Sequence, residues 1–312
     1  MNVLITSVAR KVWLVEAFRR ALEGSGGLVL ASDADPLAVG LRLADGAVDL
    51  PRQDDLCFEA ALLAACQGRR IDLIIPTRDA ELMWFAARRE KLAAMGVTVM
   101  VAPPTVIAVC QDKLAFADAC VANGFAVAEV LRDPARARFP VFARPRRGAG
   151  GRGARRIDDA AALTSLTPFS DFIVQAFVDA PEYTIDLFAD LAGQVLTVVP
   201  RERLRIAAGE SVVGVTVEAP PLVARAAALA ATLGLVGHNT LQCFWDGGEP
   251  CWIEINPRYG GGAALGFAAG ADTPSLLVRL AAGERLAPRI GAYERGLYLF
   301  RYGADHFARE AA

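Results

Sequence analysis

The sequence predicts a parallel α/β domain followed by an α+β region, and three observations carry that expectation. Residues 1–102 alternate short apolar runs with amphipathic stretches, the pattern of strands and crossover helices in a covered parallel sheet. From residue 139 the apolar runs become short and closely spaced, as in hairpins. Near the end of the chain, WIEINPRYGGG at 252–262 is a strand-like run, closed by Pro257, in which Glu254 and Asn256 sit two residues apart and so share one face.

With 312 residues and 54% hydrophobic content the chain can bury a large core and divide into two or three lobes. A net charge of -2 and a pI near 5.8 provide no global field for nucleic acid or an anionic membrane, so phosphate binding has to come from local arginines. Arg10 and Lys11 interrupt the apolar N-terminus, and no window approaches the ~18 apolar residues of a membrane span, which predicts a cytoplasmic protein. The six cysteines form no C-x-x-C pair and only His238 and His306 stand beside them, which argues against structural zinc.

Taken in order, NVLIT, LVLAS, DLIIP and VTVMV read as the first strands, with helices over 11–23, 56–66 and 79–94. The turn after the first strand, Ser7-Val8-Ala9-Arg10, lacks the glycine that brings a pyrophosphate to a helix start. That argues against a dinucleotide-binding domain, although Asp33 and Asp35 close the second strand. Ser7, Asp33, Thr77, Asp79 and Glu81 fall at strand ends, where open parallel sheets bind ligands; helix capping is the preferred reading of the acids there. Pro103 and Pro104 mark a boundary, and a helix follows over 112–123. Strands are expected over 139–144, 154–157, 172–177, 183–189 and 194–200, and helices near 158–166 and 220–233.

Residues 140–153, PVFARPRRGAGGRG, end a strand at Arg144 and enter a glycine loop. Gly148, Gly150 and Gly153 match G-x-G-x-x-G formally, but strand-like ARRI follows instead of a helix. A hairpin flap fits better, its freed N–H groups and Arg144, Arg146, Arg147 and Arg152 closing over a polyphosphate; a surface loop kept soluble by arginine also accounts for it. In FIVQAFVDAPEYTIDLF, 172–188, the connector exposes backbone groups suited to adenine, with Gln175 and Glu182 as partners for base and ribose. A solvated hairpin face explains the same alternation. Arg201 and Arg203 close the next strand and suit a carboxylate, a phosphate or surface pairing.

The runs 240–245 and 251–256 are joined by Asp246, Gly247, Gly248, Glu249 and Pro250, a hairpin loop. Pairing Trp245 with Cys251 places Gln242 opposite Glu254. Gln242, Glu254 and Asn256, with Arg258 past the strand end, then form a patch suited to Mg²⁺ and the phosphates it bridges, unless the hairpin merely shows polar groups to solvent. The glycines at 260–262 would let backbone approach an anion closely.

Together, Asp112-Lys113, the FARP segment with its glycine flap, VQAFVDAPEYTID at 174–186, GHNTLQ at 237–242 and IEINPRYGGG at 253–262 resemble the ATP-grasp superfamily. The resemblance is to short proteins similar to one half of the carbamoyl phosphate synthase large subunit. It implies a pre-ATP-grasp domain over 1–102 and a two-lobed ATP-grasp fold, with the N-terminal lobe and flap over 103–170 and the C-terminal lobe with its metal site over 171–312. It also implies Lys113 and Arg144 on the ATP phosphates under a lid carrying Gly148, Gly150 and Gly151. Adenine and ribose would lie against Gln175, Ala176, Phe177, Val178 and Glu182. Gln242, Glu254 and Asn256 would hold Mg²⁺, with Mn²⁺ as a substitute, and Arg258 would meet the transferred phosphoryl group. Arg144 stands where many members have lysine, and Gln175 where glutamate is common.

The activity so implied is an ATP-dependent ligase that activates a small carboxylate as an acyl phosphate and couples it to an amine, releasing ADP and phosphate. Arg201 or Arg203 would grip the substrate carboxylate. The partners are small molecules, with no nucleic acid or membrane and with homodimerisation left open. Bicarbonate phosphorylation, as in carbamoyl phosphate synthesis, and a regulatory protein that binds ATP without turnover are the alternatives.

Overall fold

The computed structural model describes residues 1–148, 150–207 and 209–308, so Ala149 of the expected flap lies outside the described residues. Strands β1 (Asn2–Thr6), β2 (Val29–Ala31), β3 (Gly46–Ala47), β4 (Ile71–Pro76) and β5 (Thr98–Val99) form a parallel sheet in the order β3-β2-β1-β4-β5. Both faces of its centre are covered, which is why Val3–Ile5 and Leu73–Ile75 are uninterrupted apolar runs with no exposed side chain. Helices Val12–Ala21, Phe58–Gly68 and Asp79–Ala93 lie where the periodicity predicts them. The five-residue helix Val39–Leu43 and the two-residue β3 are too short to generate a periodic signal.

Pro103-Pro104 does not simply break the chain. Pro104 opens the helix Pro104–Gln111, where its missing N–H costs nothing. Asp112 then ends that helix and caps the next, Lys113–Ala122, its carboxylate accepting the amides of Leu114 and Ala115 at 3.1 and 3.2 Å.

A small antiparallel sheet follows, β6 (Val141–Pro145), β7 (Arg155–Ile157) and β8 (Phe172–Ala176), ordered β7-β6-β8, with the glycine loop joining β6 to β7. It has its own modest core around Val141, Ile157, Leu163 and Val174. The third sheet contains β9 (Glu182–Ala189), β10 (Val195–Ala207), β11 (Glu210–Thr216), β12 (Gly237–Phe244), β13 (Cys251–Asn256) and β14 (Tyr298–Phe300), ordered β13-β12-β9-β10-β11-β14. The alanine-rich helix Pro220–Leu233 buries Leu222, Ala226 and Leu229 in the core beside this sheet and stops at Gly234, whose φ of 71° suits a left-handed cap.

Strand β10 runs seven residues beyond its expected end at 200, paired with β11 from Arg201 to Ala207. Apolar periodicity stops at Arg201 because the strand carries charges inward there. The Arg201 side chain is only 3% exposed, and its Nε and Nη2 donate to the Asp186 carboxylate at 2.8 and 3.3 Å. Burial raises the pKa of Asp186, but the Arg201 charge, together with the neighbouring His238 and the hydrogen bonds from Arg201, outweighs it and holds the carboxyl below its usual range. Burial likewise lowers the pKa of His238, which lies 3.8 Å from Asp186 and stacks on Tyr259 at 4.3 Å.

The first and third sheets share one core. Phe18 meets Tyr259 edge-on at 6.0 Å, and Trp13 lies 5.9 Å from Phe267, so the two units are fixed against each other by packing. Among the described residues no helix is long and apolar enough to cross a membrane, and all six cysteines are free.

Replacing Asp186 by alanine strands the Arg201 charge in this interior, and an expected loss of about 3–5 kcal/mol should be measurable by urea denaturation. The paired change Asp186→Leu with Arg201→Met should recover most of it. An Asp186→Ala protein as stable as the parent would contradict the buried pair.

Candidate functional site

The β12–β13 hairpin supplies the floor of the site. Gln242 stands opposite Glu254 and Thr240 opposite Asn256, the register expected at that end. The loop end differs, because a bulge between Gln242 and Cys243 pairs Phe244, not Trp245, with Cys251. Asn256 Nδ2 donates to Glu254 Oε1 at 3.1 Å, and Gln242 Nε2 donates to Glu182 Oε1 at 2.6 Å, leaving both amide oxygens of this pair turned elsewhere.

Two cations converge on this floor from other elements. Lys113 Nζ, on the first residue of its helix, and Arg144 Nη1, on β6, each lie 3.7 Å from Glu254 Oε2. At that length they are ion pairs without hydrogen bonds. Arg144 Nη2 donates to Gln175 Oε1 at 2.9 Å and to the Ile253 carbonyl at 3.0 Å, while its buried Nε has no partner. Burial lowers the pKa of both cations, and the Glu254 charge opposes that shift. A further anion placed here would be stabilised by both.

A third cation arrives from beyond the strand end. Arg258 forks onto Asp79, with Nε to Oδ1 at 3.0 Å and Nη2 to Oδ2 at 2.5 Å, and Nη2 also reaches Asn256 Oδ1 at 3.2 Å. Asp79 opens the helix Asp79–Ala93, but Glu81 performs the capping, accepting the amides of Thr77 at 2.6 Å and Arg78 at 3.0 Å. Asp79 is thus a site residue whose role sequence reasoning missed. Its partner lies 179 positions away and leaves no local signal.

The glycine loop lies over the cleft. Lys113 Nζ donates to the Gly148 carbonyl at 2.8 Å, and Gly150 abuts the β10–β11 turn, where a Cβ on Gly209 would sit 3.0 Å from the Gly150 oxygen. Gly148, Gly150 and Gly151 all have positive φ. Arg146 and Arg147 turn away from the cleft to Asp112, at 2.6 and 3.5 Å, and fasten the base of the loop. The glycines at 260–262 approach protein and not an open anion site: added Cβ atoms would meet Thr240, Glu210 and Arg201 side chains at 2.5, 2.9 and 2.6 Å.

At the connector, Gln175 uses both ends of its amide within the protein, accepting from Arg144 and donating to the Ala128 carbonyl at 3.0 Å, so it positions Arg144. The amides of Ala176 and Phe177 are bonded to Glu129 and Pro140, whereas that of Val178 has no partner among the described residues. Glu182 receives Gln242 and Arg203 on one oxygen, leaving Oε2 open, and Arg203 continues to the Gly209 carbonyl at 2.8 Å. Arg201 and Arg203 therefore lie within β10 and in ion pairs, a correction to the expected pair of strand-end guanidiniums awaiting a ligand.

Among the described residues no three His, Cys, Asp or Glu side chains gather as a metal site. Glu254 still fits Mg²⁺, which needs only one or two carboxylates when phosphates complete its shell, and Gln242 and Asn256 would add oxygens once their amides rotate to turn oxygen in place of nitrogen toward it. The unpartnered Nε of Arg144 and the open amide of Val178 fit a phosphate and a base edge.

Residues 168–297 match the family model described as ATP-grasp in the biosynthetic pathway with Ter operon, and residues 3–100 match the PylC-like N-terminal domain. The carbamoyl phosphate synthase large chain of Gemmatimonas aurantiaca is 29% identical over 223 residues, which is 63% of this chain but 20% of that one. The chain thus spans about a fifth of the length of this curated relative. Biotin carboxylase from Campylobacter jejuni, in its β,γ-ATP complex, shares the fold with a TM-score of 0.73 at 18% identity, over 95% of this chain and 74% of that one. The L-amino acid ligase of Bacillus licheniformis does so with a TM-score of 0.68 at 19% identity, over 90% and 73%. N5-carboxyaminoimidazole synthetase of Staphylococcus aureus, complexed with ADP, gives 0.71 at 16% identity, over 92% and 78%.

Because Lys113 starts with a lowered pKa, its charge is lost earlier than that of an ordinary lysine as pH rises. Tripolyphosphate, followed by calorimetry from neutral to alkaline pH, should bind progressively more weakly before an unperturbed lysine near ~10.4 would titrate. Lys113→Arg should flatten the profile. An affinity independent of pH in the parent would contradict Lys113 as an anion contact.

Proposed function

We propose that this chain, which belongs to the ATP-grasp superfamily, is an ATP-dependent ligase joining a small carboxylate to an amine. The observation that carries the reading is the convergence of Lys113, Arg144 and Arg258 on the Glu254–Asn256 strand end beneath the glycine loop. Lys113 and Arg144 would hold the ATP phosphates, the Val178 amide the adenine edge, and Glu182 Oε2 a ribose hydroxyl. Gln242, Glu254 and Asn256 would hold Mg²⁺, or Mn²⁺ in its place. The ion would neutralise charge on the β- and γ-phosphates and offer a Lewis acid to the transferring group.

In the first step a carboxylate oxygen bonds to the γ-phosphorus while its bond to the bridging oxygen breaks and ADP leaves. Arg258 meets the charge that develops on the moving phosphoryl group, and Asp79 fixes the plane of its guanidinium. Lys11, whose Nζ donates to the Ser7 carbonyl at 3.0 Å, has its pKa lowered by burial and then by the Arg258 charge, and a substrate carboxylate bound beside both cations would offset the two effects. In the second step the amine, having lost one proton to water, bonds to the acyl carbon as the carbon–phosphate oxygen bond breaks. Phosphate departs and takes up the remaining proton. The loop over the cleft keeps water from the acyl phosphate. Arg201 lies beneath the reacting groups and Arg203 ties Glu182 to the loop, roles of positioning.

Bicarbonate as the phosphoryl acceptor is favoured by the carbamoyl phosphate synthase likeness, which covers only part of that larger protein. A screen of ADP release with carboxylates and amines, singly and in pairs, with mass detection of products, separates the two. Dependence on a carboxylate and an amine together supports the ligase; release with bicarbonate alone selects the alternative. Arg258→Ala should lower kcat by about 10²–10³-fold with the circular dichroism spectrum unchanged, and Glu254→Ala should abolish turnover. Retained turnover in Glu254→Ala would reject the metal assignment.

A further inference from the structure

Asp112 makes more bonds than a helix cap needs. It is 4% exposed, and its Oδ1 accepts the amides of Leu114 and Ala115 at 3.1 and 3.2 Å together with Arg146 Nε at 2.6 Å. Its Oδ2 takes Arg147 Nη2 at 3.5 Å. A serine or asparagine would cap the helix Lys113–Ala122 equally well, with no charge to bury. Burial raises the pKa of Asp112, but the Arg146 hydrogen bond, the amides of Ala115 and Leu114 and the Arg146 charge outweigh it and hold the carboxyl below its ordinary range.

The same few atoms join the base of the glycine loop to the lysine beneath it. Lys113 follows Asp112 directly, its amide donates to the Arg146 carbonyl at 3.0 Å, and its Nζ reaches the Gly148 carbonyl at 2.8 Å. Arg146 in turn donates its amide to the carbonyl of Asp171, the residue before β8, at 2.8 Å. Beyond this base, the glycines at 148, 150, 151 and 153 leave the loop little stiffness of its own. Its position over the cleft therefore depends strongly on how the base is held, and Asp112 is the anion that holds it.

We propose that Asp112 is a positioning residue of the ligase reaction, on whose reading this assignment rests: its carboxylate holds the glycine loop closed through Arg146 and Arg147 while its cap fixes Lys113 below. One anion then links phosphate binding to the exclusion of water. Lys113 has three donors, so it keeps the Gly148 carbonyl and still has hydrogens for a phosphate. When the loop lifts, water reaches the acyl phosphate. The water oxygen bonds to the acyl carbon as the carbon–phosphate oxygen bond breaks. Carboxylate and phosphate return, one proton staying on the phosphate and one passing to solvent, and ATP is spent with no amide formed.

The test compares Asp112→Asn and Arg146→Gln, singly and together, in the full chain. Asparagine keeps the helix cap and removes the charge, and Arg146 is only partly buried, so both variants should retain the parent's circular dichroism spectrum. With Mg²⁺ and a non-hydrolysable ATP analogue present, trypsin should cut the loop at Arg147 or Arg152 about tenfold faster in each variant than in the parent. The KM for ATP should rise by a similar factor, and ADP release should outrun amide formation where the parent's two rates match. The double variant should be no worse than either single change, because the contact is already gone. Parental cleavage and KM in either single variant would overturn the assignment. Faster cleavage with ADP and amide still matched would overturn the sealing of the acyl phosphate. Faster cleavage in both variants, with no ADP release for any carboxylate and amine, would uphold Asp112 as the holder of the loop and overturn the ligase reading.

Discussion

Three cations gathered around one strand end, with fewer anions than they need, form the constraint on which the rest of this structure depends. Lys113 and Arg144 share a single carboxylate, Glu254, at a separation too long for hydrogen bonding, and burial disfavours the charge of each. Such a cluster is costly alone and favourable around a polyanion. Arg258 differs in having Asp79 as its own counter-ion, which fixes the guanidinium before any ligand arrives. A preorganised donor of this kind needs no rearrangement as phosphoryl charge develops.

Each sheet contributes one part of this arrangement, and no single sheet contains it. The hairpin β12–β13 carries the oxygen donors, β6 carries Arg144 and the loop above it, and the helix after β4 brings Asp79 across from the first sheet. The shared core around Phe18, Tyr259 and Phe267 keeps the first sheet from drifting, so the Asp79–Arg258 fork rests on rigid packing. Beneath, the buried Arg201–Asp186 pair supports the Gly260–Gly262 turn, where Gly262 lies directly against the guanidinium. Above, Arg203 links Glu182 to Gly209 and hence to the loop glycines. The groups on either side of the proposed nucleotide are in this way mechanically connected.

Much of this was legible because strand alternation and turn chemistry are local. The spacing of Glu254 and Asn256 and the glycine-rich connector were enough to place Gln242 opposite Glu254. The bulge beside Cys243 was not legible, since an extra residue absorbed in a strand leaves no compositional trace. Charged side chains hid the continuation of β10, because Arg201 and Arg203 read as a strand end when they are buried by partners on β9. Asp79 read as a cap because helix starts favour acids, and only the fold shows Glu81 in that role. The glycines at 260–262 looked suited to an anion, whereas the space they leave is filled by Thr240, Glu210 and Arg201. Residues whose partners lie on the neighbouring strand or the next turn could be read; those joined across sheets could not.

The central claim is that Glu254 and its neighbours receive a metal-bound nucleotide under the glycine loop. A crystal structure with Mg²⁺ and a non-hydrolysable ATP analogue tests it most directly. The account predicts a Glu254 oxygen about 2.0–2.1 Å from the metal, with the β- and γ-phosphates against Lys113 and Arg144. A metal remote from Glu254, or phosphates lodged away from Lys113 and Arg144, would contradict it.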